Sequence, residues 1–321
     1  MEMKMVDYLR LSITDRCNLR CTYCAPLKGK EFLTHDEVLR YEEMERLVRI
    51  FVKAGIRKVR ITGGEPLIKK NILDLVKMLR GIEALEEISL TTNGVKLKGM
   101  AVLLREAGID RINISLDTLR KERFEAITGF DCFEDVWNGV VEALESGFHS
   151  VKLNVVPLNT FNDDEILDFA NLTVNYPLIV RFIEIFSTNK SADNYIPLRL
   201  LNERVEEKIN SHYGIMTPVS GILGNGPSEY YKIDNAKGAI GFISNFSRHF
   251  CEECSRLRLD CSGKISPCLF CGPVYDTKVL LRSRNQEEQL LEDIKKIISQ
   301  KKNYTKKTCK KSSIEMSSIG G

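Results

Sequence analysis

The sequence predicts an α/β protein: a partial barrel of six consecutive βα units, TIM-like in its connections, followed by a smaller C-terminal region rich in β-structure. Three observations predict it. Short β-like runs alternate with amphipathic helical stretches over the first two-thirds of the chain, which implies a parallel sheet with right-handed crossovers. No G-x-G-x-x-G follows the first strand, so the dinucleotide fingerprint of a doubly wound sheet is missing. The unusual polar motifs instead follow one strand after another: a cysteine loop, then Gly63-Gly64-Glu65-Pro66, then Asn93-Gly94, then Asp117. Loops at the C-terminal ends of parallel strands are where barrel enzymes build their sites. The alternation alone also allows a doubly wound sheet; the last two observations favour the barrel.

The strands are expected at Tyr8–Thr14, Lys58–Thr62, Glu87–Thr92, Asp110–Ser115, Ser150–Val156 and Ile179–Glu184. Amphipathic helices are expected at Glu37–Ala54, Asn71–Leu79, Ala101–Ala107, Phe133–Glu145 and Asp163–Asn175. Gly55, Gly108 and Gly147 each follow one of these, as a residue closing a helix in the left-handed conformation would. After about residue 212 the rhythm breaks into turns at Gly221, Gly224, Gly226 and Pro227. A β-rich stretch follows to Leu281, then a helix at Gln286–Ile298. The expected organisation is a core over 6–225, a C-terminal domain over 226–300 and a basic tail over 301–321.

Composition narrows the function. Hydrophobic residues make up 43% and charged residues 28% of the 321, an ordinary globular mixture. No apolar stretch approaches the roughly 18 residues that cross a bilayer, and the first residues lack the apolar segment of a secretory signal. A cytoplasmic protein without membrane association is expected. Net charge is +3, but residues 301–311 hold six Lys and no acid, so the other 310 residues sum to −3. The basic excess reads as a solvated, mobile lysine run rather than a nucleic-acid face.

The ten cysteines are the anomaly. In a reducing compartment, clustered thiols point to metal or catalysis before disulfides. Cys17-x3-Cys21-x2-Cys24 puts three soft ligands into one loop, which suits zinc or an iron–sulfur cluster. A structural zinc needs a fourth ligand, and His35 is the nearest candidate. A cubane on three thiols leaves one iron open for chemistry. The second group is Cys251, Cys254, Cys261, Cys268 and Cys271; Cys251-x2-Cys254-x13-Cys268-x2-Cys271 alone is close to a four-thiol zinc ribbon. Cys132 and Cys309 stand apart.

Strand alternation adds a test. Arg10, Ser12 and Thr14 share a face, as do Arg60 and Thr62, Asn113 and Ser115, and Lys152 and Asn154. If those faces line the lumen, Arg10, Arg60 and Lys152 require anions. Either a triphosphate supplies them, or Asp15, Asp117 and Glu184 do.

Cys17-x3-Cys21-x-Tyr23-Cys24 followed by Gly63-Gly64-Glu65-Pro66 resembles the radical S-adenosylmethionine (SAM) superfamily. Phe250-Cys251-x2-Cys254-x-Arg256-x-Arg258, Cys268-Leu269-Phe270 and the run Gly238–Ile243 resemble one branch of it, the GTP 3′,8-cyclases of molybdenum-cofactor biosynthesis. The resemblance spans Tyr8 to about Phe270 and returns in Gly320-Gly321. It implies two [4Fe–4S] clusters, one on Cys17, Cys21 and Cys24, the other on Cys251, Cys254 and Cys268. It implies SAM contacts at Tyr23, Gly63, Gly64, Glu65 and Ser115, with Phe186 standing where the family has a further SAM-contacting Met. GTP contacts are implied at Arg10, Arg60, Thr91, Lys152, Arg256 and Arg258, and catalytic assistance from Arg256, Arg258 and the terminal Gly320 and Gly321. The implied reaction is hydrogen abstraction from the ribose C3′ by a 5′-deoxyadenosyl radical, then attack on guanine C8. An electron donor and a downstream cyclic pyranopterin monophosphate synthase are the implied partners, with a monomer or homodimer as the assembly. Two other readings stand beside it: a radical SAM enzyme acting on a peptide, and a non-catalytic zinc or iron–sulfur interaction protein.

Overall fold

The computed structural model describes residues 5–24, 31–187, 189–220, 228–244, 254–283, 286–304 and 309. Cys251, Gly320, Gly321 and the turn region Gly221–Pro227 lie outside them.

The chain runs β1 (Tyr8–Ser12), α1 (Tyr41–Lys53), β2 (Lys58–Thr62), α2 (Ile72–Arg80), β3 (Glu87–Thr92), α3 (Ala101–Ala107), β4 (Arg111–Ser115), α4 (Lys121–Thr128), α5 (Phe133–Glu145), β5 (Ser150–Val155), α6 (Ile166–Asn175) and β6 (Ile179–Ile183). It continues through α7 (Lys190–Asp193), α8 (Asn202–Tyr213), β7 (Thr217–Pro218), β8 (Glu229–Lys232), β9 (Ala239–Ile243), β10 (Arg256–Leu259), β11 (Lys264–Ser266), β12 (Tyr275–Asp276), α9 (Lys278–Arg282) and α10 (Glu287–Ser299).

One sheet holds all twelve strands of the described residues, in the order β12-β11-β10-β1-β2-β3-β4-β5-β6-β9-β8-β7. The first six lie in chain order without reversal, each parallel to the next. A doubly wound sheet would reverse its order at a switch point, so this is an open (βα)6 barrel. The later strands join the same sheet at both edges: β10 pairs parallel with β1, and β9 parallel with β6. Antiparallel β11 and β8 follow, with β12 and β7 as the two outer edges, and the barrel stays open.

Alternation along each strand decides its two faces. Leu9, Leu11, Val59, Ile61, Ile88, Leu90, Ile112, Ile114, Leu153, Val180 and Phe182 face the helices and are buried. Helix α1 answers with Met44, Leu47, Val48 and Phe51, the i, i+3, i+4, i+7 stripe of a core-facing helix. Each such side chain contributes roughly 1.5–3 kcal/mol by leaving water. Gly55, Gly108 and Gly147 have φ of +110°, +119° and +72°, as their places after helices require. The short helix α4 was not expected from the sequence, because it buries only Phe124, Ile127 and Thr128 and carries a weak apolar stripe. Among the described residues, no helix is long and apolar enough to cross a membrane.

Candidate active site

The loop after β1 carries Cys17, Cys21 and Cys24 and is held from beneath by the loop after β2. Gly64 donates its N–H to the Thr14 carbonyl (2.7 Å), and Glu65 donates to the Arg16 carbonyl (2.8 Å). A Cβ on Gly64 would lie 2.1 Å from the Arg16 oxygen, and one on Gly63 2.6 Å from the Thr14 oxygen. Only glycine permits this approach. The Glu65 side chain is buried and accepts from Leu67 N (2.9 Å), Thr92 Oγ1 (2.8 Å) and Asn93 N (2.6 Å). Burial pushes its carboxyl up to about 7 against those three bonds. In this structure, then, Glu65 ties the second and third strand loops together.

Asn93 extends the tie to the thiols: its Nδ2 lies 3.7 Å from Cys17 Sγ and 2.9 Å from Asn18 Oδ1. The Cys17 sulfur also accepts from Leu19 N at 3.4 Å. Burial raises the Cys17 thiol and raises Cys21 well above the ordinary range. Thiols in such surroundings ionise readily only against a positive centre, so the donor set fits a soft metal cluster. Tyr23 donates to the Asp117 carboxylate, which also accepts from Val156 N (2.8 Å). Burial carries Asp117 up to about 6. Ser115 closes β4 on the lumen face and is exposed. Phe186 packs against Phe270, a residue of the second cysteine segment, with ring centroids 6.1 Å apart and planes tilted by 32°.

Across the lumen face, neighbouring strands place their polar side chains level. Arg10 lies level with Arg60 on one side and Arg258 on the other, and Tyr8 level with Arg256. Thr91, Asn113 and Lys152 form a second row; Asn154, Arg181, Gly241 and Tyr230 form a third. Arg10, Lys152, Arg181 and Arg258 are all buried. Burial, then Arg258 and Arg60, push the Arg10 guanidinium well below its ordinary range. Burial and Arg256 bring Arg258 to about 10, and burial and Arg181 bring Lys152 to about 8. Two further cations, at the strands' N-terminal ends, are neutralised: Lys58 by Asp7 (3.2 Å) and Arg111 by Glu87 (2.9 Å). The Thr91 and Tyr8 hydroxyls are buried and find no hydrogen-bond partner among the described residues.

Arg181 and Tyr230 are site residues that the sequence reading missed. Arg181 donates to Asn154 Oδ1 (2.9 Å) and Asn113 Oδ1 (2.8 Å). Tyr230 hydrogen-bonds Lys152 Nζ at 2.9 Å. Burial opposes ionisation of this phenol, but Arg181 and Lys152 draw it down to about 8. Gly241 makes room for the ring: a Cβ there would sit 2.8 Å from Tyr230 and 3.0 Å from Arg181. The alternation of β6 was signal enough for Arg181, since Val180 and Phe182 on either side face the helices. Tyr230 had no comparable signal, because its strand pairs with the barrel edge only through β9.

The second thiol group joins this lumen from the β10 side. Cys254 and Cys268 line one cavity with Arg256, Arg258, Leu269, Lys301 and Tyr304. Burial opposes ionisation of Cys254, but Arg256 and Lys301 pull it down to about 6, which suits a metal-binding thiolate. Cys268, Cys271 and Cys309 bring their sulfurs within 4.8 Å of one another. Cys271 and Cys309 are bonded as a disulfide, with Cα atoms 5.2 Å apart. Cys261 is buried in the turn after β10, where burial and Asp260 push its thiol up to about 12. Lys301, expected as the start of a solvated run, is instead buried against this cavity.

An open barrel with three thiols after its first strand and a glycine-braced loop after its second defines a radical SAM protein. The Radical SAM superfamily model matches residues 11–173 and the Molybdenum Cofactor Synthesis C model residues 178–307. The chain is 46% identical over 286 residues to a protein of Heliobacterium modesticaldum, covering 89% of this chain and 87% of the relative. It is 45% identical over 281 residues to one of Pelotomaculum thermopropionicum, with 86% and 85% covered. Both relatives are named GTP 3′,8-cyclase, and the chain belongs to their family. In fold it is similar to Streptococcus suis SuiB bound to S-adenosylmethionine, with a TM-score of 0.63 at 15% identity over 88% of this chain and 67% of that one.

Proposed function

We propose that this chain is a GTP 3′,8-cyclase, using SAM and two [4Fe–4S] clusters to join C3′ of the ribose to C8 of guanine in the first step of molybdenum-cofactor biosynthesis. One observation carries the reading: six cations, Arg10, Arg60, Lys152, Arg181, Arg256 and Arg258, share the lumen face between the two thiol groups. So dense a positive charge suits a polyanion, and guanidiniums match the forked geometry of phosphates. The shared name of the relatives supports GTP as that polyanion.

Cys17, Cys21 and Cys24 would hold the first cluster, and Cys254 and Cys268, with Cys251, the second. Bound there, cluster and SAM together supply a 5′-deoxyadenosyl radical. Gly63 and Gly64 present loop backbone beside the first thiols, while Tyr23, Ser115 and Phe186 flank that end of the lumen for SAM. Arg10, Arg60, Thr91 and Lys152 take the triphosphate, and Arg256 and Arg258 hold the nucleotide against the second thiol group. Gly320 and Gly321 are proposed to assist the reaction. A low-potential electron donor and a cyclic pyranopterin monophosphate synthase complete the proposed setting, which is cytoplasmic.

The test is anaerobic reconstitution followed by incubation with SAM, dithionite and GTP, with the product identified by mass spectrometry. The expected product is an isomer of GTP closed between C3′ and C8. SAM cleavage that leaves GTP unconsumed would contradict the reading and favour a peptide substrate.

A further inference from the structure

We infer that Cys309 is a displaceable thiolate of the second metal centre, closing it in the absence of GTP and yielding its place to guanine when GTP binds. The inference rests on the reading above that this centre holds a [4Fe–4S] cluster next to GTP. Cys309 is delivered to the same point as Cys268 and Cys271, with all three sulfurs within 4.8 Å of one another. That delivery is built into the fold. Helices α9 and α10 dock on α1 through Arg282–Glu43 (2.7 Å) and Arg46–Glu287 (2.5 Å). The turn after α10 then sets Lys301 and Tyr304 into the wall of the cavity that Cys254 and Cys268 line. Cys309 follows five residues later.

Cys271 and Cys309 differ in one respect that decides between them. Cys271 belongs to the turn of Cys268 itself, donating its N–H to the Cys268 carbonyl at 3.3 Å. Cys309 lies 38 residues further on and is no part of that turn. A thiolate fixed in the Cys268 turn cannot leave the centre without breaking that turn; one from outside the turn can be exchanged for a substrate atom.

The chemistry balances. The low-potential reductant that SAM cleavage requires supplies two electrons, which with two protons convert the Cys271–Cys309 disulfide to two thiols. Cys309 loses its proton on binding iron. When a guanine atom takes that iron, the iron–sulfur bond to Cys309 breaks and the thiolate regains a proton from water, with no net redox change.

The test is alkylation with iodoacetamide of the full-length enzyme, reconstituted anaerobically and kept in dithiothreitol, with peptide mass spectrometry as readout. Half-buried Cys132, remote from both thiol groups in sequence, is the internal standard. Cys309 should react at least about tenfold more slowly than Cys132 without GTP, and approach its rate once GTP is added. Equal rates without GTP, or protection that GTP leaves unchanged, would overturn the inference. So would a Cys271–Cys309 peptide that stays linked in the reductant. A second measurement uses the Cys17→Ser, Cys21→Ser, Cys24→Ser background, in which the second cluster stands alone. There Cys309→Ser should alter the electron paramagnetic resonance spectrum of the reduced cluster without GTP and leave it unaltered with GTP. Four irons with a spectrum unchanged in both states would overturn the inference alone. Absence of iron in that background would overturn the cluster reading beneath it.

Discussion

The two thiol groups are built by opposite means. The first is local: Cys17, Cys21 and Cys24 sit in one loop, and Gly64 and Glu65 of the next strand's loop hold it through N–H bonds of 2.7 and 2.8 Å. The second draws on distant stretches: Cys254 before β10, Cys268 and Cys271 after β11, and Cys309 beyond α10. A local loop keeps one geometry whatever the rest of the chain does. A site gathered from separate segments can change its membership, which suits the centre where a substrate has to enter.

The comparison breaks most sharply at the first loop. Cys17→Ser, Cys21→Ser or Cys24→Ser should each abolish SAM cleavage and leave about four irons at the second centre. Undiminished 5′-deoxyadenosine in any one variant would remove that residue as an essential ligand. Gly64→Ala attacks the brace rather than the ligands. Its Cβ would meet the Arg16 backbone oxygen at 2.1 Å, and overpacking against rigid backbone costs about 1–3 kcal/mol or more. It should lose iron from the first centre and keep it at the second; unchanged iron at both would show that the brace is dispensable.

The lumen between the groups should respond more moderately. Arg10→Ala, Arg60→Ala and Lys152→Ala should each weaken GTP binding by about ten- to a hundredfold, the loss of one charge-assisted contact, and spare SAM binding. Unchanged GTP affinity in all three would make these cations structural. GTP affinity should also fall as pH rises through about 8, because the hydrogen-bonded Lys152–Tyr230 pair gives up a proton there and the site loses one positive charge. Whichever group gives it up, the change has the same sign, and below that pH the protonated pair favours the nucleotide. Tyr230→Phe removes one of the two and should give a shallower slope by calorimetry. An affinity constant from pH 7 to 9.5 in the wild type would contradict the assignment. The smallest effect is expected from Cys271→Ser, which should keep the second cluster and most activity; losing about half the bound iron would instead make Cys271 a fixed ligand.

What was legible in the sequence divides along the same line. All six barrel strands and the helices of strong apolar period could be read, because strand alternation and helical stripes are local signals. Arg10, Arg60 and Lys152 were placed in the lumen by parity alone, and the sheet register sets them there. The βα alternation alone fits two topologies; the missing dinucleotide fingerprint and the polar loops after successive strands favoured the barrel, and the order of β1 to β6 agrees. Tyr230, Lys301 and Cys309 could not be read, since their places depend on strands and helices that return to the barrel from far along the chain. Cys309 looked like a lone cysteine in a lysine run until α10, docked on α1, brought it to Cys268.

The most direct measurement is a single turnover of the reconstituted enzyme with SAM, dithionite and GTP carrying deuterium at C3′ of the ribose. Deuterium recovered in 5′-deoxyadenosine, together with the 3′,8-closed product, is the result expected if the lumen cations hold GTP between the two centres. Deuterium-free 5′-deoxyadenosine with the labelled GTP returned intact would contradict it.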